Sequence, residues 1–314
     1  MSANEAPAAM AAAANAATSP TAAPWWLRAA PAIFLLLWSA GFPIGKIGLH
    51  DAAPMTFLSV RYALVLAVLL PLQAWLRPTL PRGSSLRHLI VTGLLIQGVY
   101  FGLGYAAIAL GVAAGTAALI VSLQPILVAM LAPRLTGERI PGGAWLGFAL
   151  GFAGAAVAIV ARAGPGASTW LGMLCAAGSL LGMTAGTLYE KRHGVAAHPV
   201  PANLVQYAAA LVAFLPFAWL TEGFRIMPTA PLALALAYLV IGNSLIAITL
   251  LLAMIRAGDV SRVSTLFFLV PPMAALLSWL LVGERMPPFA WLGFILAAAG
   301  VALVARARRS PARA

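Results

Sequence analysis

Residues 137–156 read G-E-R-I-P-G-G-A-W-L-G-F-A-L-G-F-A-G-A-A, and residues 283–302 repeat them as G-E-R-M-P-P-F-A-W-L-G-F-I-L-A-A-A-G-V-A. Thirteen of the twenty positions are identical at a constant offset of 146 residues. A repeat at one long, fixed spacing indicates that the chain consists of two similar halves. The fold therefore depends on how many secondary-structure elements lie within one repeat.

The composition of the chain indicates an integral membrane protein. Hydrophobic residues make up 62% of the 314 residues and charged residues only 8%, and the mean hydropathy is +0.97. Soluble proteins carry about 25% charged residues, so a soluble fold of this size could not cover its surface with so few. The apolar runs are continuous and lack the alternation of a transmembrane β-barrel, so we expect an all-α membrane fold.

Ten apolar segments of about 20 residues, the length that crosses a bilayer, divide the chain. They run over residues 31–49, 54–76, 89–110, 112–134, 141–161, 169–190, 199–220, 230–253, 261–283 and 288–305. Residues 1–24 are Ala-rich and lack the basic region of a signal peptide, so we expect residues 1–28 to form a disordered tail. Residues 307–314 are expected to form a basic cytoplasmic tail.

The offset of 146 residues maps span 4 onto span 9 and span 5 onto span 10, so each repeat holds five spans. The first repeat covers residues 29–162 and the second covers 163–306. Because five is an odd number, the second repeat enters the membrane from the opposite side. The two halves are therefore predicted to be inverted relative to each other.

The distribution of Lys and Arg predicts the orientation of the chain. If both termini are cytoplasmic, 14 of the 19 basic residues fall on the inner side and 5 on the outer side. The positive-inside rule therefore predicts a multi-pass protein of the inner (plasma) membrane with both termini in the cytoplasm. The net charge of +12 does not indicate a nucleic-acid partner, because the basic residues are dispersed between the spans.

Several motifs resemble those of the EamA-type transporters of the drug/metabolite transporter superfamily, which have ten helices in two EamA repeats. The motifs are Trp38-Ser39 in span 1, Pro54 to Arg61 in span 2, Leu123-Gln124-Pro125 to Gly137-Glu138 around span 4, and Leu269-Val270-Pro271 to Gly283-Glu284 around span 9. The resemblance covers about residues 30–306. It implies a central cavity among helices 1, 3, 4, 6, 8 and 9, and transport of amino acids, their derivatives, other small metabolites or drugs.

Polar and aromatic residues inside the spans are the candidates for substrate binding. Arg61 lies inside span 2, where a charge is costly; it attracts an anionic substrate at the outer mouth of the cavity, snorkels to the headgroups or pairs with Asp51. Gln97 and Asn243 are separated by the repeat offset, and they either bind substrate or bond neighbouring helices. Aromatic residues either line the cavity or pack. The full set of candidates is Trp38, Arg61, Gln97, Tyr100, Tyr105, Gln124, Tyr189 and Asn243.

Pro125 and Pro271 occupy equivalent positions in spans 4 and 9. A proline inside a helix removes one backbone hydrogen bond and frees carbonyl groups in the preceding turn, here near Val121 and Phe267. We predict that both prolines are gating hinges, and a static kink is the alternative.

Three further groups of residues have structural interpretations. Glu138 and Glu284 are expected to form local ion pairs or helix caps, and Lys46 is expected at the membrane interface. Small residues at four-residue spacing predict close helix contacts. They are Gly143, Gly147 and Gly151 in span 5 and Gly178, Gly182 and Gly186 in span 6.

The sequence contains no motif for a cofactor, a metal ion or a nucleotide. The segment from Gly41 to Lys46 has one residue too few between its glycines for a P-loop, and Ile47 replaces the required Ser or Thr. Histidines lack metal-site spacing, and the single cysteine, Cys175, excludes an intrachain disulfide. We therefore expect neither an enzyme nor ATP-driven transport by this chain alone.

Together these features predict a secondary-active transporter that exports small metabolites, such as amino acids or their derivatives, by alternating access. Phosphorylated or drug-like substrates are the alternative among transporters, and a membrane enzyme or a non-transporting scaffold is the alternative outside them. The expected partners are a small-molecule substrate and the lipid bilayer, with no nucleic acid. The chain is expected to act as a monomer or a weak homodimer.

Overall fold

The computed structural model describes residues 25–136, 142–161, 169–195, 197–250, 254 and 269–309. These residues form helices that we number α1 to α10. They are α1 (Trp25–Asp51), α2 (Pro54–Leu76), α3 (Gly83–Ala109), α4 (Ala114–Val121 and Gln124–Thr136), α5 (Gly142–Val160), α6 (Trp170–His193), α7 (Pro199–Leu220), α8 (Ala230–Leu250), α9 (Val270–Val282) and α10 (Pro288–Arg309). An isolated β-bridge joins Ala52 and Ile226, and these ranges contain no β-strand.

Six helices, namely α1, α2, α3, α6, α7 and α8, have the length and the apolar composition to cross a membrane. Shorter apolar helices run over Ala114–Val128, Ala144–Val157, Val270–Val282 and Pro288–Val304. Exposed Trp75, Trp170 and Trp219 lie near helix ends, where indole rings favour the membrane interface. The all-α class is confirmed. The count of ten crossings stays a prediction, and the predicted span over 261–283 lies partly outside the described residues.

Helices α5 and α10 pack against each other through glycines. A Cβ atom added at Gly147 would lie 2.6 Å from the carbonyl oxygen of Gly300, and one at Gly154 would lie 2.6 Å from that of Gly293. The 146-residue offset exchanges these two contacts, because Gly147 corresponds to Gly293 and Gly154 to Gly300. The two equivalent helices also run antiparallel, since residue number rises along one as it falls along the other. Both properties are those expected of inverted repeats.

A carboxylate from the second repeat caps a helix of the first. The backbone N–H groups of Met55 and Thr56 donate to the side chain of Glu222 at 2.9 and 2.7 Å, and the Thr56 hydroxyl donates at 2.8 Å. These N–H groups begin α2 and have no partner within that helix, and the positive end of its dipole favours a negative charge. The cap joins the start of α2 to the end of α7.

Two helices widen into π-helix at positions related by the repeat. The π segment of α3 is Leu94–Tyr100, and that of α8 is Leu239–Ala247. Adding 146 to the first segment gives residues 240–246, which lie within the second. π segments are rare and occur frequently at functional sites. They carry Gln97 and Asn243, so the two amides share an unusual backbone as well as an equivalent position.

The prolines of the repeats lie at the starts of helical segments. Helix α4 stops at Val121 and begins again at Gln124, so Pro125 is the second residue of the new segment. Pro271 is likewise the second residue of α9. Proline is well tolerated in a first turn, because its missing N–H has no partner there. Span 4 is thus interrupted ahead of its proline. The hinge role of both prolines stays a prediction, and Phe267 lies outside the described residues.

Candidate functional site

A cavity lies between α1, α3, α4, α6 and α8, and the space between its atoms is about 540 Å³ when its open mouth is included. Its wall is mainly apolar and aromatic, with a few polar groups, as is usual for sites that bind small molecules. The side chains that matter most for recognition are Trp38, Tyr100, Phe101, Tyr105, Ser179 and Asn243. These helices are five of the six that the resemblance implies; α9 adds no side chain to the described wall.

Four of the eight predicted binding residues line this cavity. Trp38 stands on α1, Tyr100 and Tyr105 on α3, and Asn243 on the π segment of α8. Trp38 also stacks on Phe34, with ring centroids 5.6 Å apart. The structure therefore brings together residues that are more than 200 positions apart in the sequence.

The amide of Gln97 is buried close to the cavity wall without being part of the wall. Its side chain is 4% exposed, and its Oε1 atom has no hydrogen-bond partner among the described residues. The Gln97 backbone carbonyl accepts a hydrogen bond from the Tyr62 hydroxyl at 2.5 Å. The equivalence of Gln97 and Asn243 thus holds for backbone conformation and burial, whereas only Asn243 faces the cavity.

Gln124 and Tyr189 lie outside the cavity and join helices. The Gln124 amide donates to the Thr187 hydroxyl of α6 at 3.0 Å. The Tyr189 hydroxyl lies 2.8 Å from Nδ1 of His88, near the end where α3 begins and α6 ends. Their role in binding substrate stays a prediction.

Arg61 is buried behind the cavity wall, with 1% of the residue exposed. Its Nη1 donates to the Tyr105 hydroxyl at 3.2 Å, and its Nη2 donates to the Ser244 hydroxyl at 3.0 Å. Its Cζ lies 4.9 Å from the centre of the Phe101 ring, within cation–π range. A charge within a membrane-spanning helix costs at least about 2.5 kcal/mol at the bilayer centre, which explains these contacts.

The other environments considered for Arg61 do not occur in this structure. Its side chain is too buried to snorkel to lipid headgroups. Asp51 contacts His50 and the Thr229 hydroxyl instead. Arg61 lies one layer behind the cavity and touches it through Tyr105 and Phe101.

Two glycines of α1 make room for the polar groups of two cavity-lining residues. A Cβ atom at Gly41 would collide with the Asn243 amide nitrogen, and one at Gly45 would lie 2.9 Å from the Tyr105 hydroxyl. Gly41 and Gly45 are four residues apart and therefore share one face of α1. Our sequence reasoning missed both glycines, although small residues at four-residue spacing in an apolar span were the available signal.

Phe101 and Ser179 were also missed. Phe101 forms part of the cavity wall and packs on the Arg61 guanidinium, and the Ser179 hydroxyl donates to the Tyr100 carbonyl at 2.7 Å. No sequence signal distinguished this Phe or Ser from the others in the apolar spans.

Glu284 joins three helices at one end of the bundle. Its carboxylate forms an ion pair with Lys46 near the end of α1, and it accepts from the Ala114 N–H at the start of α4 at 3.1 Å. The side chain of Glu284 is 7% exposed and that of Lys46 is 39% exposed. The ion pair of Glu284 thus spans the two repeats instead of being local, and its carboxylate caps the start of a helix that is distant in sequence. Glu138, the equivalent residue, lies outside the described ranges.

The site is suited to an organic small molecule. Its polar atoms are hydroxyl and amide groups set among aromatic rings, which bind by hydrogen bonds and by apolar contact. In the part of the chain that the structure describes, no three His, Cys, Asp or Glu side chains are grouped to hold a metal ion.

Three known proteins resemble this chain in sequence over most of their length. An uncharacterized transporter of Bacillus subtilis, YvbV, is 27% identical over 87% of this chain and 89% of its own length. A protein of Escherichia coli named "Probable amino-acid metabolite efflux pump" is 26% identical over 86% of this chain and 91% of its own. A "Probable terminal-alkyne amino-acid exporter" of Streptantibioticus cattleyicolor is 28% identical over 87% of this chain and 91% of its own.

One solved structure, described only as "Crystal structure of protein", superposes with a TM-score of 0.59. It is 19% identical and covers 92% of this chain and 100% of its own, so it supports the fold alone. The model of the EamA-like transporter family matches residues 25–160 and 170–306, one match for each repeat. The chain therefore belongs to the EamA-like transporter family.

Proposed function

We propose that the chain is a secondary-active exporter of small metabolites, namely amino acids or their derivatives, which bind in the cavity between α1, α3, α4, α6 and α8. Residues of both repeats line this cavity, which supports the proposal most strongly. Trp38, Tyr100 and Tyr105 come from the first repeat, and Asn243 comes from the second. Substrate sites of transporters built from inverted repeats lie at the junction of the repeats. Relatives whose names refer to amino-acid export support the substrate class.

The composition of the cavity wall favours amino acids over phosphorylated substrates. Phosphate groups are usually bound by several Lys or Arg side chains. The described wall contains none, and Arg61 lies behind it. Apolar and aromatic walls with an amide and hydroxyl groups suit a molecule with one small polar end and an apolar side chain.

The proposed mechanism is alternating access, in which the two repeats rock around the cavity. The proposed location is the inner (plasma) membrane. The positive-inside rule favours an orientation of the protein in which both termini lie in the cytoplasm. The contacts at one end of the bundle fit the alternating helix directions that this orientation uses. The end of α1, the start of α4 and the end of α9 meet around Glu284, and all three belong on the outer side in that orientation.

Efflux from liposomes tests the proposal. Purified protein is reconstituted into liposomes loaded with a labelled mixture of the common amino acids, and the release of each is followed. We expect apolar and aromatic amino acids to leave faster than from protein-free liposomes. Release of every amino acid at the protein-free rate would contradict the proposed function.

A further inference from the structure

We infer that the buried cation Arg61 makes this cavity selective for substrates with a free carboxylate, which the Tyr105 hydroxyl and the Asn243 amide bind directly. This inference deepens the proposed function and rests on it. It assigns Arg61 as a positioning residue, because its guanidinium acts on the substrate through Tyr105 and through its charge.

Arg61 carries a buried positive charge. The guanidinium is buried and contacts two hydroxyl groups and one aromatic ring, which are all neutral. Within the ranges that the structure covers, no carboxylate forms an ion pair with it, and its Nε atom has no hydrogen-bond partner. A buried charge without a counter-ion is unfavourable, so the site is completed by an anion.

Tyr105 connects Arg61 to the cavity. The Tyr105 hydroxyl accepts a hydrogen bond from Arg61, so its own proton remains available for an acceptor elsewhere. Tyr105 lines the cavity, and the cation behind it strengthens the hydroxyl as a donor. Ser244, the other partner of Arg61, is the next residue after Asn243 in the chain, so the guanidinium also contacts the helix α8 segment that carries Asn243.

The two proposed hydrogen-bond donors, the Tyr105 hydroxyl and the Asn243 amide, lie against the same helix. The Tyr105 hydroxyl lies against Gly45 and the Asn243 amide nitrogen lies against Gly41, on one face of α1. Positions four residues apart on a helix are about 6 Å apart. A carboxylate has two acceptor oxygens and is able to take one hydrogen bond from each donor. An uncharged carboxamide of the same shape presents one oxygen and a competing N–H₂ group.

The rest of the cavity defines the remainder of the substrate. Trp38, Tyr100 and Phe101 offer aromatic surface to an apolar side chain. The substrate class is therefore an amino acid or derivative with a free carboxylate and an apolar or aromatic side chain. Blocking the carboxylate as an amide or an ester weakens binding at least about tenfold, whereas changes to the apolar side chain are tolerated.

Binding of matched acids and amides tests this inference. Dissociation constants of L-phenylalanine, L-leucine, L-phenylalaninamide and L-leucinamide are measured with the purified protein. We expect the wild type to bind each acid at least about tenfold more tightly than its amide, the usual scale for a hydrogen bond to a charged group. Arg61→Gln and Tyr105→Phe should lose this preference, and Arg61→Lys should retain part of it.

The control is Arg225→Gln, which changes an exposed arginine in the connection between α7 and α8 and should keep the full preference. If Arg61→Gln does not fold, Tyr105→Phe still tests the inference, because it removes one hydroxyl and keeps the ring. Equal affinities for acid and amide, or no binding of either acid, would overturn the inference. If amino acids are released from liposomes but the protein binds acid and amide equally, the proposed function stands and only the inference about the carboxylate fails.

Discussion

Replacing Glu284 by Leu is expected to slow amino-acid export at least about tenfold. The substitution removes the ion pair with Lys46 and the hydrogen bond from the Ala114 N–H, which together join α1, α4 and α9. Hydrogen bonds to a charged group contribute about 1.5–3 kcal/mol each, and the partial exposure of Lys46 reduces the contribution of its pair. We expect the loss of these bonds to weaken the junction of the three helices and so to slow the proposed transport cycle.

A graded series separates the two contacts of Glu284. Glu284→Gln and Lys46→Gln each remove the ion pair, and an amide oxygen at position 284 still accepts from Ala114, so both should slow export less than Glu284→Leu. The matched control is Arg285→Gln, since Arg285 is the exposed neighbour and should be dispensable. Rates are compared in liposomes with equal amounts of folded protein. Wild-type export by Glu284→Leu would show that this contact has no part in transport.

Replacing Gly154 by Leu is expected to prevent stable folding. A Cβ atom at this position would lie 2.6 Å from the Gly293 carbonyl oxygen, and the contact is with backbone, which cannot rotate away. Helices α5 and α10 would have to separate along their whole contact. Overpacking a core costs about 1–3 kcal/mol, and a clash with backbone lies at the upper end of that range or above it. We expect a fall in thermal unfolding temperature and little monodisperse protein after purification.

The matched control for this packing lies on the same helix. Gly142 begins α5, and a Cβ atom added there meets no atom within 4 Å. Gly142→Leu should therefore yield as much folded protein as the wild type, with a similar unfolding temperature. Equal stability of Gly154→Leu and Gly142→Leu would contradict the close α5–α10 contact and, with it, the symmetric junction of the two repeats.

The general architecture was predictable because it follows from patterns that extend over many residues. Long apolar runs predicted an all-α membrane protein, and the duplicated segment predicted two repeats of opposite direction. The pair Gly147–Gly300 and its counterpart Gly154–Gly293 have the antiparallel relation that this prediction requires. The family follows from the same long-range features and is confirmed by a model match to each repeat.

The candidate site was predictable only in part, because helix rotation and side-chain partners are decided by local packing. Trp38, Tyr100, Tyr105 and Asn243 share the cavity, while Gln97 is buried outside its wall, although Gln97 and Asn243 both lie in π segments that no sequence pattern predicted.

Glu284 shows the same limit at a helix end. Local spacing favoured a pair with the adjacent Arg285, and the fold instead brings Lys46 to it across 238 positions. Short-range sequence rules cannot compare two such partners, since the choice depends on how the repeats are assembled.

The central claim, that this cavity carries amino acids across the membrane, is tested most directly by the Asn243→Leu variant. Asn243 is a polar cavity residue from the second repeat, and Leu has similar size without hydrogen-bonding groups. Release of labelled phenylalanine and leucine is measured from liposomes with wild-type protein, with the variant and without protein. The account predicts rapid release with the wild type and a rate near the protein-free value with Asn243→Leu. Equal release by the folded variant and the wild type would contradict it.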